Sequence, residues 1–466
     1  MKKIILLSII FNSIYSTNNA QNFKVDTLQY NGDISKFINI VILGDGYTAN
    51  QLDTFIFDAK KLSNYLFSQS PWSNYNNYFN VFAIKVISQE TGTKHPNTAP
   101  DCGNSVPITN PNTYFGCTFD ANSIHRLVVP TNYTNIAMTL SKNFPNYDQV
   151  CILANTPYYG GSGGSYATTT LNTASNEIYA HEIGHSFAAL SDEYYAGDGY
   201  AGERVNMTKE TNPLLVKWKN WMNINGIGIY QHCCGGNSAQ WYKPSTNCKM
   251  QSLGYSYCSV CKEALIERIH GLVNPIVSYA PENLMVNSSD SILHFDLLKL
   301  MKPNVNTLKL DWKLDGIPLQ SNVESIQIKQ KNLTPGLHAL SVVCEDTTNF
   351  LNIDKHSTKH FSTVTWSIQK TISDVKLTSS EYKISFSLFP NPTNDILHMQ
   401  IELDKKSEVS LQLVSLEGKV LRNILKESKI DGTISNSINI RNLPNGTYLI
   451  QAKVNGIVHT QRFIKE

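Results

Sequence analysis

Apolar runs and helical periodicity alternate over the first part of the chain. Residues 36–43, 78–87 and 148–154 read as short strands bounded by turn residues. Residues 49–68 read as a helix between the first two. Residues 171–190 form another, with Ile178, His181, His185 and Ala188 or Ala189 recurring at helical spacing, and a final helix is expected over 262–271. Strands alternating with helices predict an α/β layer packed on the 171–190 helix.

The pattern changes after about residue 275. Leu293–Leu297, Thr307–Trp312, Ser325–Lys329 and Leu337–Cys344 are short strand candidates, with turns at Asp315-Gly316 and Pro335-Gly336. This predicts an immunoglobulin-like β-sandwich over 275–370, followed by a polar linker over 371–383. Residues 384–466 predict a second all-β sandwich, opening on Phe386 to Pro392 and closing on Leu443 to Ile450 and Phe463-Ile464-Lys465. The expected architecture is therefore an α/β domain over 21–274 followed by two all-β sandwich domains.

Composition adds the compartment. Lys2-Lys3 precede an apolar stretch from Ile4 to Ile14, too short to span a membrane, and cleavage near Ala20-Gln21 would make residues 1–20 a signal peptide. No later run reaches the length of a membrane span. A net charge of +2 gives no sign of a nucleic-acid or acidic-lipid partner. Eight of the nine cysteines lie before residue 275. In an exported protein, those around Met250, including Cys248, Cys258 and Cys261, are expected to form disulfides. Cys344 stands apart and reads as a buried thiol.

The candidate chemistry sits on the 171–190 helix, in His181-Glu182-Ile183-Gly184-His185. Positions i and i+4 lie on one helix face, so both imidazoles can reach one metal ion while Glu182 addresses a water on it. This is the H-E-x-x-H arrangement of zinc metallopeptidases, in which Glu182 would be the general base. In the longer metzincin pattern the third ligand would fall on Ser191, a poor zinc ligand, and Ala188 stands where a glycine would turn the chain. A turn of slightly different length must then deliver a carboxylate. Asp192 is the first choice, with Glu193 and Glu203 as alternatives. Met250 is the candidate for a methionine turn beneath the metal, and Tyr242 for a hydrogen-bond donor to the oxyanion.

Further segments extend the likeness: Gly44-Asp45-Gly46-Tyr47-Thr48, Phe79-Asn80-Val81, Ser88-Gln89-Glu90-Thr91-Gly92 and Tyr159 to Gly164. Asp192-Glu193-Tyr194, Asn206, Trp218, Tyr242-Lys243-Pro244 and Cys248-Lys249-Met250 with Cys258 and Cys261 complete the set. Together with the histidines, these motifs resemble the IgA-peptidase family of bacterial zinc metallopeptidases over roughly residues 35 to 272. The resemblance implies a metzincin-like α/β fold, Zn2+ held by His181, His185 and Asp192, and a protein substrate. The final segment resembles the C-terminal sorting domain of type IX secretion substrates, which implies that secretion machinery as a partner and export across an outer membrane. A secreted zinc endopeptidase is the expected function. The rival class is a surface adhesin for glycan or protein built on a non-catalytic peptidase-like scaffold, and the intact His181, Glu182, His185 set argues against it.

Overall fold

The computed structural model describes residues 22–103, 106–287, 290–354, 360–370, 384–416 and 418–466. The expected signal peptide and the 371–383 linker fall outside them. The chain divides into two units, Met1–Thr371 and Ile372–Glu466.

The first unit opens with a mixed sheet. Its strands are β1 (Val25–Gln29), β2 (Ile38–Asp45), β3 (Phe79–Ile84), β4 (Gln149–Ala154), β5 (Gly161–Ser162) and β6 (Ala167–Thr169), and their order is β1-β3-β2-β4-β6-β5. The four inner strands are parallel, and antiparallel β1 and β5 form the edges. Every residue of β2, β3 and β4 is buried, as expected for parallel strands covered on both faces.

Four helices cover this sheet: α1 (Leu52–Leu66), α2 (Tyr133–Asn143), α3 (Ser175–Ala188) and α4 (Ser259–Leu272). Ile38, Ile40 and Ile42 of β2 face a core shared with Phe55 and Leu62 of α1, Ile183 and Phe187 of α3, and Leu265 of α4. Val41 and Leu43 point the other way, toward Ile136 and Leu140 of α2 and toward Phe115 and Phe119. The alternation of one strand thus sorts the helices into two layers. Sequence reading did not find α2. Its start is marked only by Asn132, whose side chain accepts from Asn135 N–H at 3.2 Å.

After a short hairpin of β7 (Tyr230–Gln231) and β8 (Tyr242–Lys243), the chain turns to strands. From Ile276 to Lys370 they form a five-stranded and a three-stranded sheet. These close on a core containing Phe295, Trp312, Leu340 and Trp366, with the two tryptophan rings stacked 5.8 Å apart. The expected strand Ser325–Lys329 forms with those bounds, Leu293–Leu297 and Leu337–Cys344 lie within longer strands, and Thr307–Trp312 falls on a strand that runs Leu308–Leu314.

Asp346 ties this β region to the α/β layer. Its buried carboxylate accepts from Tyr75 Oη at 2.6 Å and Thr307 Oγ1 at 2.6 Å, and lies 2.8 Å from His270 Nε2 on α4. Burial raises its pKa, but the bonds from His270, Thr307 and Tyr75 outweigh that and hold it below the usual carboxylate range. Because the folded pKa is depressed, the contribution is present above the unfolded value of about 3.9 and is lost as pH falls through the folded value. Asp346→Ala should cost about 3–5 kcal/mol, since it strands buried partners. The check is denaturant unfolding of the intact chain at neutral pH, with acid loss of stability blunted in the variant.

The second unit is all β. A three-stranded sheet of Ile384–Phe389, Ile396–Leu403 and Thr433–Asn439 and a four-stranded sheet built on Ser407–Ser415 and Gly446–Val454 enclose Leu397, Ile401, Leu411, Ile450 and Phe463.

Candidate metal centre

Helix α3 begins four residues later than the sequence pattern suggests. Asn172 Oδ1 accepts from Ala174 N–H, holding residues 172–174 in a turn rather than in the helix. The helix ends at Ala189, which takes a left-handed φ of 53° while Leu190 N–H bonds back to Gly184 O at 3.2 Å. That bond reaches back six residues, one more than the closing bond of a Schellman turn, and it is made here without glycine. The turn residue is therefore Ala189 rather than Ala188, so the carboxylate three places on is that of Asp192 rather than the side chain of Ser191.

The turn brings three atoms together. His181 Nε2 lies 3.1 Å from His185 Nε2, and Asp192 Oδ1 lies 3.0 Å from the first and 3.2 Å from the second. Each histidine donates its other nitrogen to a backbone carbonyl: His181 Nδ1 to Lys249 O at 2.9 Å, and His185 Nδ1 to Leu190 O at 2.7 Å. Those bonds leave both Nε2 atoms as lone-pair donors facing one point. Nitrogen and oxygen ligands about 2.0–2.1 Å from a tetrahedral zinc lie about 3.3 Å apart, so this triangle fits the ion. Burial alone would disfavour charge on His185, yet the neighbouring Asp192 carboxylate pushes its pKa up to about 9, so a metal ion taking the Nε2 lone pair must displace a proton there.

The other acidic candidates are engaged elsewhere. Glu193 N–H bonds Met250 O at 2.8 Å, while its buried carboxylate accepts from Asn206 Nδ2 at 2.9 Å. Asn206 also clamps Ser191 through its N–H and C=O. Glu203 pairs with Lys217 at 2.5 Å and accepts from Thr208 Oγ1.

Glu182 sits beside the triangle, its Oε2 4.0 Å from His185 Nε2. Burial raises its pKa against the lowering pull of the two histidines, which moves the carboxylate toward the range useful for proton transfer near neutrality. It lines a cavity of about 800 Å³ with both histidines, Asp192, Arg126 and Tyr194. Burial, with the nearby Asp192 charge, pushes the Tyr194 hydroxyl up to about 12, so it stays a proton donor. The Arg126 guanidinium lies 5.9 Å over the Tyr194 ring.

Met250 is fully buried beneath the helix, where a Cβ at Gly184 would stand 3.0 Å from its Sδ. Tyr242 is not among the residues lining the cavity, where Tyr159, Tyr194 and Tyr200 are the tyrosines. It lies in β8, with its backbone paired to Thr208, and the neighbouring Lys243 reaches inward to Glu193 O at 2.5 Å. Sequence reading missed Arg126 and Tyr194. Tyr194 carried a signal, since it follows Asp192-Glu193 directly, whereas Arg126 carried none.

The glycine-rich loop is built against the helix. Gly161 pairs through N–H and C=O with Arg126 and Val128, so that edge of β5 is already occupied. A Cβ on Gly163 would fall 2.5 Å from His185 Cβ. Gly163→Ala should therefore displace His185 and weaken metal binding at the triangle by roughly 10–100-fold in a chain that still folds. Metal titration and circular dichroism on one preparation check this.

The expected disulfides are not formed, and all nine cysteines are free thiols. Cys248 Sγ is 3.7 Å from Cys261 Sγ, and Cys261 Sγ is 3.3 Å from Glu193 Oε1. Three thiols converge with one buried carboxylate, where a disulfide would join only two of them.

Residues 27–231 match the IgA Peptidase M64 family, and residues 387–466 match the secretion system C-terminal sorting domain. Residues 27–231 thus form an IgA Peptidase M64 family domain, and residues 387–466 a type IX secretion C-terminal sorting domain. M64 peptidases are metallopeptidases, and the tail directs export by type IX secretion to the cell surface or extracellular space. Among the described residues no helix is long and apolar enough to cross a membrane. No curated protein matches the chain. Solved structures similar to it include dimeric latent PorU from Porphyromonas gingivalis, at 13% identity over 38% of this chain and 18% of that one, with a TM-score of 0.16. The Clostridium thermocellum CbhA fibronectin(III)-like modules are similar at 11% identity over 38% and 86% of the two chains, with a TM-score of 0.13. Both likenesses are too remote to carry an argument.

Proposed function

We propose that this M64 protein is an exported zinc endopeptidase with a metzincin-like catalytic region over 21–274, and that His181, His185 and Asp192 hold the zinc. The observation that carries the proposal is the triangle of His181 Nε2, His185 Nε2 and Asp192 Oδ1, with edges of 3.0–3.2 Å and the Glu182 carboxylate beside it. Zinc bound there supplies Lewis acidity, polarising a carbonyl and lowering the pKa of water to about 7.

The chain's own groups do the rest. Glu182 takes the proton of the attacking water and passes it to the leaving amine, its burial-raised pKa suiting both transfers. Arg126 and Tyr194 line the same cavity and donate to the oxyanion as it develops, the role sequence analysis gave to Tyr242. The Lys249 and Leu190 carbonyls hold the two imidazoles in orientation. The sandwich over 275–370 serves as a spacer or substrate platform beside this region, and residues 384–466 serve sorting.

Cleavage of a broad library of extracellular proteins, including immunoglobulins and glycoproteins, tests the proposal. Cleavage lost on chelation and restored by zinc supports it. Cleavage indifferent to a chelator, or none by a folded, zinc-loaded chain, contradicts it.

A further inference from the structure

A second convergence of metal-ligand atoms lies outside the cavity, in the long irregular stretch between β3 and α2. His95 Nε2 is 3.2 Å from Cys102 Sγ, Cys102 Sγ is 3.2 Å from His125 Nδ1, and His125 Nδ1 is 2.8 Å from Asp120 Oδ1. A fourth edge, His95 Nε2 to Asp120 Oδ1, is 3.9 Å. All four ligand atoms lie within 4.8 Å of one another. We propose that His95, Cys102, Asp120 and His125 form a second, structural zinc site.

Ordinary hydrogen bonding accounts for only part of the arrangement: the Cys102 thiol can donate to His95 Nε2 and His125 Nδ1–H to Asp120, but the 3.2 Å contact between Cys102 Sγ and His125 Nδ1 is then left without a proton of its own. Cys102 Sγ and Asp120 Oδ1 both address the same nitrogen of His125, and one N–H cannot point at both. A catalytic Cys-His-Asp relay would use opposite nitrogens of the ring, so that reading fails as well. Four donors directed at a common centre are what a tetrahedral ion requires. With Zn–N and Zn–O near 2.0–2.1 Å and Zn–S near 2.3 Å, the edges of such a site run about 3.3–3.6 Å, and the observed edges bracket that range.

The surroundings are built to match. His95 Nδ1 donates to Pro107 O at 2.8 Å, which directs its Nε2 lone pair inward. Asp120 Oδ2 accepts from Thr98 N–H at 2.7 Å, leaving Oδ1 for the centre. The side chains of His95 and Asp120 are 2% and 1% exposed while Cys102 and His125 are half-buried, and four protein donors fill a tetrahedral shell without an open position for substrate. The donor set of two imidazoles, a thiolate and a carboxylate suits zinc.

The location gives the site its purpose. Among the described residues, 85–132 contain no strand or α-helix beyond the single 3-10 turn Ala121–Ser123, a length rare for a connection in a compact fold. Asp120, Asn122 and Ser123 all hold left-handed φ values without glycine, so the segment needs a strong local constraint. His125 immediately precedes Arg126, which enters the cavity beside Glu182 and Tyr194. A zinc on His125 would thus fix the placement of Arg126, and it would shield Cys102 from oxidation after export.

The test is zinc counting and thiol mapping on the intact chain. In a His181→Ala/His185→Ala background, which removes the catalytic site independently, adding Cys102→Ala should lower bound zinc by one per chain. In the unmutated chain, iodoacetamide should spare Cys102 until a chelator is added, as located by peptide mass mapping. Unchanged zinc content on adding Cys102→Ala, or equal alkylation of Cys102 with and without chelator, overturns the site. The alkylation arm needs no substitution and so does not depend on a variant's folding.

Discussion

Glu182→Gln is expected to lower peptide cleavage by about 10²–10⁴-fold, the usual contribution of a positioned general base, while bound zinc stays at the wild-type level. The amide keeps the shape of the side chain and removes its capacity to take a proton. Because Glu182 Oε2 stands 4.0 Å from His185 Nε2, outside the three-atom triangle, its loss should spare the metal. The decline belongs in kcat, with little change in KM, because the group acts on the moving proton rather than on substrate binding. Steady-state kinetics and zinc analysis of the same preparation check both parts. Near-normal turnover would remove Glu182 from the mechanism.

Asp192→Ala and Glu203→Ala should separate sharply. Mutating a partner one shell out from a metal typically costs 10–100-fold in affinity, so losing a direct ligand should weaken zinc binding by more than about 10²-fold and abolish cleavage at limiting zinc. Glu203 is held by Lys217 and Thr208, away from the histidines, and its removal should leave zinc affinity unchanged. Competition titration with a chromophoric chelator measures both variants. Loss of zinc in Glu203→Ala with retention in Asp192→Ala would reverse the ligand assignment.

The two histidines were legible because their i, i+4 spacing on one helix fixes their relation almost regardless of tertiary context. For the acidic partner the sequence put Asp192 first but left Glu193 and Glu203 open. Which of them arrives depends on where the helix stops, and it stops at Ala189, a left-handed alanine that composition does not mark. Met250 could be named from its place in the motif order, whereas Tyr242 could not be excluded, because a tyrosine's reach depends on how the loop folds. Arg126 was invisible: it is delivered by residues 85–132, which show no periodicity and, among those described, no strand or α-helix. The cysteines misled for a related reason. Export favours disulfides in general, but here the Glu193 carboxylate, held by Asn206, is packed among the thiols, and that is a tertiary fact. Strand existence was read well where alternation or continuous apolar runs were strong, as in β2 and Ser325–Lys329. Helix α2 escaped because only Ile136, Thr139 and Leu140 of its residues are buried.

The most direct measurement is crystallographic: anomalous diffraction above and below the zinc absorption edge on the intact Glu182→Gln chain. The account predicts an edge-dependent peak between His181 Nε2, His185 Nε2 and Asp192 Oδ1, with the turn at Ala189 retained. No peak there in zinc-saturated crystals, or one coordinated by the histidines with Glu193 or Glu203 in place of Asp192, would contradict it.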